Sequence, residues 1–404
     1  MKYCILVGDG MGDYPVDALA GKTPLEVAHT PMMDELCQRG ELFLNKTVPD
    51  GFPPGSDVAN MSLLGYDPAR YYTGRAPLEA GAMNIDLQPD EIAFRCNMVT
   101  LEKEDNGGLT MVDFSAGHIT NEESHQLIQA LQEECGDEMF HFYPGVSYRH
   151  LMVLRGEHPG CTTVPPHDHI QRDVTEHFNA YLADPNWKTL LEKVAKVFAN
   201  HPVNLERKAQ GKHPATMVWL WGEGKKPSAP NLQQRFNITG SMVSAVDLLK
   251  GLGVIGGLSV INVPGATGYI DTNYQGKAAA AMQSLDHQDF VFVHLEGPDE
   301  AGHKGSLADK LTAIEDFDSK IVAPIYQHLT KKNEPFRMVV TMDHFTPLAL
   351  RTHTSDAVPT LLYDSRKTDG CGRQFNEREA LQHDQEANNG ISQGHFMINK
   401  LLER

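Results

Sequence analysis

The chain has 404 residues, of which 41% are hydrophobic and 22% are charged, so it has the composition of a folded globular protein and the length of two domains. Its formal net charge is −18, because 35 basic residues stand against 53 acidic ones. This charge argues against nucleic acid or an anionic membrane as the main partner, but a small anionic substrate could still bind beside cations and a few arginines.

The order of apolar runs and turn residues predicts an α/β protein. Short runs rich in Val, Ile and Phe indicate buried strands, and longer periodic segments indicate helices. The first part of the chain has a predicted strand at 3–8, a helix at 31–39, a Pro/Gly loop at 49–55 and a helix at 57–64. The middle part has strands at 93–101 and 148–154, helices at 121–134 and 187–199, and a Pro/His loop at 162–172. The last part has strands at 216–221, 259–263, 290–295, 338–341 and 360–363, with helices at 241–249, 276–284 and 307–327.

The cysteines and the termini indicate a reducing compartment. The six cysteines are scattered without a C-x-x-C pair, which is typical of reduced thiols: Cys4, Cys37, Cys96, Cys135, Cys161 and Cys371. The N-terminus enters a predicted strand within three residues and lacks the layout of a signal peptide. No apolar stretch approaches the roughly 20 residues that a membrane span needs. We therefore expect a cytoplasmic protein, with its oligomeric state left open.

Aspartates stand at or just after the ends of three predicted strands. Asp9 follows strand 3–8, Asp299 lies shortly after strand 290–295, and Asp343 comes just after strand 338–341. In open α/β sheets the carboxyl ends of the strands form the ligand site. Carboxylates gathered there would repel one another unless a cation held them. The three aspartates therefore predict a metal site, and we expect it to hold two metals.

Histidines accompany two of these aspartates. Asp299 and His303 are four residues apart, so both lie on one face of a helix that begins near Pro298. These two side chains could hold one cation, with His353 as a third ligand. His344 directly follows Asp343, and both can turn toward the same rim where the strand ends. The metal candidates fall at both ends of the chain and none in the middle, which predicts a core of 1–88 plus 212–404 with an inserted cap of 89–211.

Ser56 follows Pro-Pro-Gly and opens a predicted helix, so its hydroxyl lies near free backbone N–H groups. A serine in this position is ordinarily an N-cap that contributes about 1 kcal/mol. A neighbouring divalent cation would make it a candidate nucleophile, because coordination lowers the pKa of a hydroxyl.

These motifs together resemble the archaeal-type, cofactor-independent phosphoglycerate mutases of the alkaline phosphatase superfamily. The matching stretches are VGDGMG at 7–12, PGSDVANMSLLGYD at 54–67, PDEAGH at 298–303, and Asp343-His344 with His353. The cap matches more weakly at 147–150 and 165–168. The resemblance implies an alkaline-phosphatase-like core, with a mostly parallel sheet flanked by helices, and an inserted α+β cap.

The resemblance also implies a mechanism and a ligand set. Ser56 would take the phosphoryl group as phosphoserine while 3-phosphoglycerate and 2-phosphoglycerate, the small phosphorylated substrates, interconvert. One cation would be held by Asp9, Ser56, Asp343 and His344, and the second by Asp299, His303 and His353. Mn²⁺ is the typical metal of such enzymes, and the mixed carboxylate and imidazole set also permits Mg²⁺, Zn²⁺ or Co²⁺.

The predicted cap would bind the substrate carboxylate and exclude water, which would otherwise hydrolyse phosphoserine. The first candidates for binding the substrate are Arg149 and the pair His167 and Asp168, and the second candidates are Arg75 and Arg95. Arginine suits bidentate contacts with carboxylate or phosphate.

Two features favour alternative functions. Phe345 follows Asp-His where the family resemblance implies a small serine, and the stretch at 268–277 with 298–300 looks closer to a bacterial branch proposed to be homoserine kinases. The second hypothesis is therefore a homoserine kinase with a nucleotide donor. A phosphatase is a third possibility if the cap closes poorly, and a non-catalytic metal-binding or scaffold protein is the alternative from a different class.

Overall fold

The computed structural model describes residues 1–105, 107–387 and 390–403. Its strands are β1 (Lys2–Gly8), β2 (Glu41–Lys46), β3 (Glu91–Lys103), β4 (Leu109–Asp113), β5 (Phe140–Val146), β6 (Arg149–Arg155), β7 (Met217–Gly224), β8 (Gly240–Val243), β9 (Ser259–Val260), β10 (Phe290–Leu295), β11 (Phe336–Thr341), β12 (Val358–Asp364) and β13 (Ser392–Gln393).

The α-helices lie between these strands and cover them. They are α1 (Pro24–Val27), α2 (Pro31–Gln38), α3 (Ser56–Leu63), α4 (Pro68–Tyr71), α5 (Ala76–Ala82), α6 (Asn121–Cys135), α7 (Thr175–Leu182), α8 (Pro185–Asn200), α9 (Pro202–Ala209), α10 (Leu232–Phe236), α11 (Asp247–Ile255), α12 (Tyr274–His287), α13 (Gly297–Lys304), α14 (Leu307–Phe317), α15 (Ala323–Lys332), α16 (Glu377–Ala387) and α17 (Met397–Leu402). A π-helical turn, Asp318–Val322, joins α14 to α15, so the predicted helix 307–327 is one longer helical segment.

The chain forms two compact units. The first consists of Met1–Tyr72 with Ser228–Arg404, and the second is Thr73–Pro227. The second unit contains the whole of the predicted cap, 89–211, together with 73–88 and 212–227. These flanks belong to it because α5 packs on β3 and because β7 pairs with β3.

The first unit contains an eight-stranded sheet in the order β13-β2-β12-β11-β1-β10-β8-β9. Strands β11, β1, β10, β8 and β9 run parallel in succession. Strand β12 is antiparallel to both of its neighbours, β11 and β2. The predicted mostly parallel α/β sheet is therefore confirmed, with β12 as the exception.

The three central strands of this sheet are mostly apolar on both faces because helices cover both sides, and His294 and Arg337 are buried exceptions. Every residue of β10 and β11 is buried, as are the last five of β1. The parallel register sets Gly8 beside Leu295 and Val7 beside Thr341. The carboxyl ends of β10, β1 and β11 are therefore adjacent, and the residues that follow them meet at one edge of the sheet.

The second unit contains a five-stranded antiparallel sheet in which β3 is the longest strand. The order is β4-β3-β6-β5, and β7 pairs with β3. Large side chains of the sheet and of helices α6 and α8 form its core, among them Phe94, Trp187, Phe198 and Trp219. This arrangement agrees with the predicted α+β character of the cap.

Several elements differ from the expectations. The predicted helix 241–249 begins as the buried strand β8 and becomes helical only at Asp247, because residues 240–243 fill a two-sided sheet interior. The predicted strand 216–221 was expected in the α/β core but forms β7 of the antiparallel sheet. Strands β2, β4, β5 and β13 were not predicted.

The cysteines and the helices allow two further observations. All six cysteines are free thiols. Within the described ranges, no helix combines the length and the apolar run that crossing a bilayer requires.

Candidate metal centre and active site

Three buried aspartates meet at the carboxyl edge of the central strands. Asp9 follows β1, Asp343 lies beyond the end of β11, and Asp299 lies in α13 after β10; they are 3%, 0% and 9% exposed. Gly10 is essential to this approach. Its backbone N–H donates to Asp343 Oδ1 at 3.1 Å, its φ is 59°, and an added Cβ would lie 2.6 Å from Asp299 Oδ1. The residue after Asp9 therefore has to be glycine.

The first predicted ligand set converges on one point. His344 Nε2 lies 3.2 Å from Ser56 Oγ, 3.4 Å from Asp9 Oδ1 and 3.4 Å from Asp343 Oδ2. Ligand atoms about 2.0–2.1 Å from a tetrahedral cation are separated by roughly 3.3–3.4 Å. The four side chains thus have the spacing and the chemistry of a cation site.

Ser56 is the first residue of α3 and is not its N-cap. Gly55 occupies the N-cap position and makes no side-chain capping hydrogen bond. The hydroxyl of Ser56 points toward His344. Asn60, one turn later, donates its Nδ2 to both the Ser56 carbonyl and Asp343 Oδ2, each at 2.9 Å. This amide ties the start of the helix to the end of β11.

The second predicted ligand set is also assembled. Asp299 and His303 occupy one face of α13, as their spacing predicted, with Oδ2 and Nε2 3.3 Å apart. His353 Nε2 lies 3.3 Å from Asp299 Oδ1 and 2.9 Å from His303 Nε2. The Thr346 hydroxyl donates to Asp299 Oδ1 at 2.5 Å and orients the carboxylate. The His303 ring is oriented from behind by the carbonyl of Arg351, 3.0 Å from Nδ1.

The electrostatics show why this cluster suits cations. Burial, followed by repulsion from Asp343 and Asp299, raises the pKa of Asp9 well above its ordinary value. Burial also acts to raise the pKa of Asp299, but hydrogen bonds from His303 and His353 outweigh it and hold that pKa well below its ordinary value. The hydrogen bond to Asp299 is the main cause that raises the pKa of His303 to about 9. Without cations, the His303 imidazolium serves as a counter-charge to Asp299.

Divalent cations fit this donor set. Carboxylate oxygens, imidazole nitrogens and a hydroxyl suit Mn²⁺, Mg²⁺, Zn²⁺ and Co²⁺ alike. The buried oxygen Asp9 Oδ1 accepts no well-formed hydrogen bond from any residue in the described ranges, although it points at the first ligand set. A bound cation would satisfy this oxygen.

Several residues of the cluster were not predicted. Asn60 and Thr346 are buried and hydrogen-bond to Asp343 and Asp299, two carboxylates of the predicted ligand sets. His294 lies inside β10, and its Nε2 is 3.3 Å from Asp9 Oδ2. A polar residue in an otherwise apolar strand was the available signal for His294. Phe345, the departure from the family pattern, packs against Gly12, where an added Cβ would lie 2.1 Å from its ring.

The five predicted substrate residues lie in the second unit, and the structure brings them into one neighbourhood. Arg95 lies over the Trp221 ring, 4.0 Å from its centroid, and pairs with Glu79 at 3.0 Å. His167 packs edge-on against the same ring at 5.5 Å, and Asp168 Oδ1 is 3.7 Å from its Nε2.

The two remaining arginines, Arg75 and Arg149, act electrostatically on this group. Burial is the main cause that lowers the pKa of Arg95, and repulsion from Arg75 and Arg149 adds to it. Burial likewise lowers the pKa of His167, assisted by Arg95 and Arg75. Arginines that repel one another in this way create a positive local field, which suits the binding of an anionic group.

The fold and this cluster define an α/β enzyme class in which a serine hydroxyl stands beside a carboxylate and imidazole metal centre. A family model described as 2,3-bisphosphoglycerate-independent phosphoglycerate mutase matches residues 37–204. The mutase of that name from Methanosarcina barkeri is 50% identical over 384 residues, which cover 94% of this chain and 95% of that relative. The chain therefore belongs to the family of 2,3-bisphosphoglycerate-independent phosphoglycerate mutases.

Solved structures agree with this placement. A protein from Pyrococcus horikoshii superposes with a TM-score of 0.81 at 29% identity, covering 100% of this chain and 96% of that one. The cofactor-independent phosphoglycerate mutase from Thermoplasma acidophilum has a TM-score of 0.67 at 25% identity, covering 100% and 99%. The predicted family and the predicted α/β fold class are confirmed. None of these relatives is named a kinase, so the homoserine kinase alternative has no support.

Proposed function

We propose that this chain interconverts 3-phosphoglycerate and 2-phosphoglycerate through a phosphoserine at Ser56. The observation that carries the proposal is the position of Ser56 Oγ, 3.2 Å from His344 Nε2 in a buried cluster with Asp9 and Asp343. A hydroxyl in such a site is a nucleophile rather than a helix cap. The names of the relatives supply the substrate class.

The reaction needs two phosphoryl transfers of opposite direction. In the first, Ser56 Oγ loses its proton and forms a bond to phosphorus, the bond from phosphorus to the glycerate oxygen breaks, and that oxygen takes up a proton. In the second, the other hydroxyl of the same glycerate loses its proton and forms a bond to the phosphorus of phosphoserine, the bond from phosphorus to Ser56 Oγ breaks, and Oγ takes up a proton. Divalent cations bound by the two ligand sets would lower the pKa of the hydroxyl and neutralise the phosphoryl oxygens.

The chain's own residues have distinct tasks in this scheme. Asp9, Asp343 and His344 would hold one cation beside Ser56, and Asp299, His303 and His353 would hold the other. Asn60 fixes the start of α3 against Asp343, which keeps the hydroxyl in place. We propose Mn²⁺ as the native metal, as expected from the family resemblance.

We further propose that the cationic group of the second unit binds the substrate carboxylate. Arg95 is oriented by Glu79 and the Trp221 ring, so its guanidinium is set for a planar, bidentate contact. Arg149 and Arg75 would add charge, and His167 with Asp168 would supply further hydrogen bonds. The cytoplasmic location expected from the sequence stays a prediction.

A coupled assay tests the activity. Protein loaded with Mn²⁺ is given 3-phosphoglycerate, and 2-phosphoglycerate is detected with enolase. We expect turnover with this substrate and none with homoserine plus ATP. Turnover of homoserine alone would contradict the mutase assignment.

A pair of serine variants tests the nucleophile. Ser56→Ala should reduce kcat by several orders of magnitude, and rapid-quench mass spectrometry of the wild type should find phosphate on Ser56. Ser62→Ala is the matched control: this buried serine lies on the same helix, and its hydroxyl has no hydrogen-bond partner among the described residues. An active Ser56→Ala variant, with no phosphoserine in the wild type, would exclude the nucleophile.

A further inference from the structure

His294 is a buried polar residue that the proposed mechanism does not use. It lies in β10, whose other five residues are apolar, and it is 0% exposed. Burying an imidazole is unfavourable unless its nitrogens have partners. Its presence in the centre of the sheet therefore calls for a local reason.

Both nitrogens of the ring face carboxylates. Nδ1 is hydrogen-bonded to Glu296, 3.2 Å from Oε1. Nε2 lies 3.3 Å from Asp9 Oδ2, which is a close polar contact, although it makes no well-formed hydrogen bond to any described residue. The two carboxylate oxygens of Asp9 therefore face different partners. Oδ1 faces His344 in the Ser56 ligand set, whereas Oδ2 faces His294.

The far side of the ring is held by a buried ion pair. Lys277, on α12, is 0% exposed and donates to Glu296 Oε2 and to the His294 carbonyl, each at 3.2 Å. Ser244 donates to Glu296 Oε1 at 3.1 Å. Lys277 and Glu296 balance each other's charge, and together they set the His294 ring in one orientation.

We propose that His294, oriented by Glu296 and Lys277, is a positioning residue that fixes the Asp9 carboxylate so that Oδ1 faces Ser56 and His344. The inference rests on the proposed metal centre, because Asp9 is one of its ligands. Residues that orient a metal-binding carboxylate typically contribute about 10–100-fold to metal affinity. Without His294, the Asp9 carboxylate could rotate and share its charge between two orientations.

A third cation between Asp9, His294 and Asp343 is the competing arrangement, since these three groups offer ligand atoms within 4.8 Å of one another. The contacts disfavour it. Asp343 Oδ2 lies 3.4 Å from His344 Nε2, in the Ser56 ligand set, but 3.9 Å from His294 Nε2, so this oxygen is better placed for the first cation than for a third one. The experiment below separates the two arrangements.

The test is a titration of metal-free protein with Mn²⁺, in which binding is measured by calorimetry and by electron paramagnetic resonance. The wild type should bind two Mn²⁺ per chain. In His294→Ala, one of the two dissociation constants should rise about 10–100-fold while the other is unchanged. In His294→Gln, which preserves the side-chain volume and one hydrogen-bond donor, this dissociation constant should lie between those of the wild type and of His294→Ala. Glu296→Gln should also raise the same dissociation constant.

Further readouts separate positioning from a general structural effect. At saturating Mn²⁺, kcat should fall in His294→Ala while KM for 3-phosphoglycerate stays within twofold. His328→Gln is the matched control, because His328 also pairs with an aspartate, Asp286 at 2.9 Å, and contacts neither ligand set. Metal-free melting curves of all variants report whether they fold.

Three results would contradict either the positioning role of His294 or the metal centre on which it rests. Unchanged dissociation constants in folded His294→Ala and Glu296→Gln would overturn the positioning role. Three cations per wild-type chain, with one lost in His294→Ala, would overturn it in favour of the third cation. A wild type that binds fewer than two Mn²⁺ would instead remove the metal centre of the proposed function.

Discussion

Substituting Asp9 by asparagine should stabilise the metal-free protein while destroying its function. Ligand oxygens of Asp9 and Asp343 lie within 4.8 Å of each other. At an effective dielectric constant of about 20, two unit charges at this distance repel by about 3.5 kcal/mol. His294, 3.3 Å from Asp9, offsets part of this, but burial and the aspartates prevail, because the pKa of Asp9 is raised.

We therefore expect Asp9→Asn to raise the free energy of unfolding of the metal-free protein by about 1–2 kcal/mol, which is the part of the repulsion between Asp9 and Asp343 that the attraction of His294 does not offset. With Mn²⁺ bound, the wild type should instead be more stable than Asp9→Asn. A cation at 100 times its dissociation constant stabilises the folded state by about 2.7 kcal/mol, and the variant lacks a ligand needed to bind it.

Differential scanning calorimetry with chelator and with Mn²⁺ measures both effects. The melting temperature of Asp9→Asn should exceed that of the wild type in chelator and fall below it in Mn²⁺, and Asp50→Asn, at an exposed aspartate, should follow the wild type in both. If Asp9→Asn melts lower than the wild type in chelator, the account of mutual repulsion is wrong.

Two further predictions concern other parts of the first unit. The pKa of His303 is raised from 6.5 to about 9, so its protonation stabilises the metal-free fold fully below about pH 6.5, and this contribution is lost as the pH rises through 9. Mn²⁺ affinity should rise over the same window because binding releases that proton, and a pH-independent affinity from calorimetry would contradict this. Lys310 is 0% exposed and donates to Asp13 Oδ2 at 2.7 Å and to the Thr346 carbonyl at 2.8 Å. Lys310→Met should destabilise the fold by about 3–5 kcal/mol by leaving a buried carboxylate unpaired, whereas Lys320→Met, at an exposed ion pair, should cost at most about 1 kcal/mol; equal melting temperatures of these two variants would refute the argument.

The elements that position the site were predictable because their signals are local. Strands β1, β10 and β11 are short apolar runs bounded by turn residues, and α13 follows from Pro298 and the Asp299-x-x-x-His303 spacing. Strand β8 was mistaken for a helix because its four residues carry no alternation, and such a run is ambiguous until its neighbours are known. The sheet to which β7 belongs depends on long-range pairing that no local pattern contains.

The amino-acid sequence by itself determined which residue types stand at the strand ends, and with them the chemistry: aspartates, histidines and one serine that suit divalent cations and phosphoryl transfer. Only the tertiary structure decided the strand order β10-β1-β11, which brings those ends together. It also decided which oxygen of Asp9 faces Ser56 and which faces His294. The physical reason is range: spacing along a strand or helix is a local property, whereas the orientation of a carboxylate depends on partners hundreds of residues away.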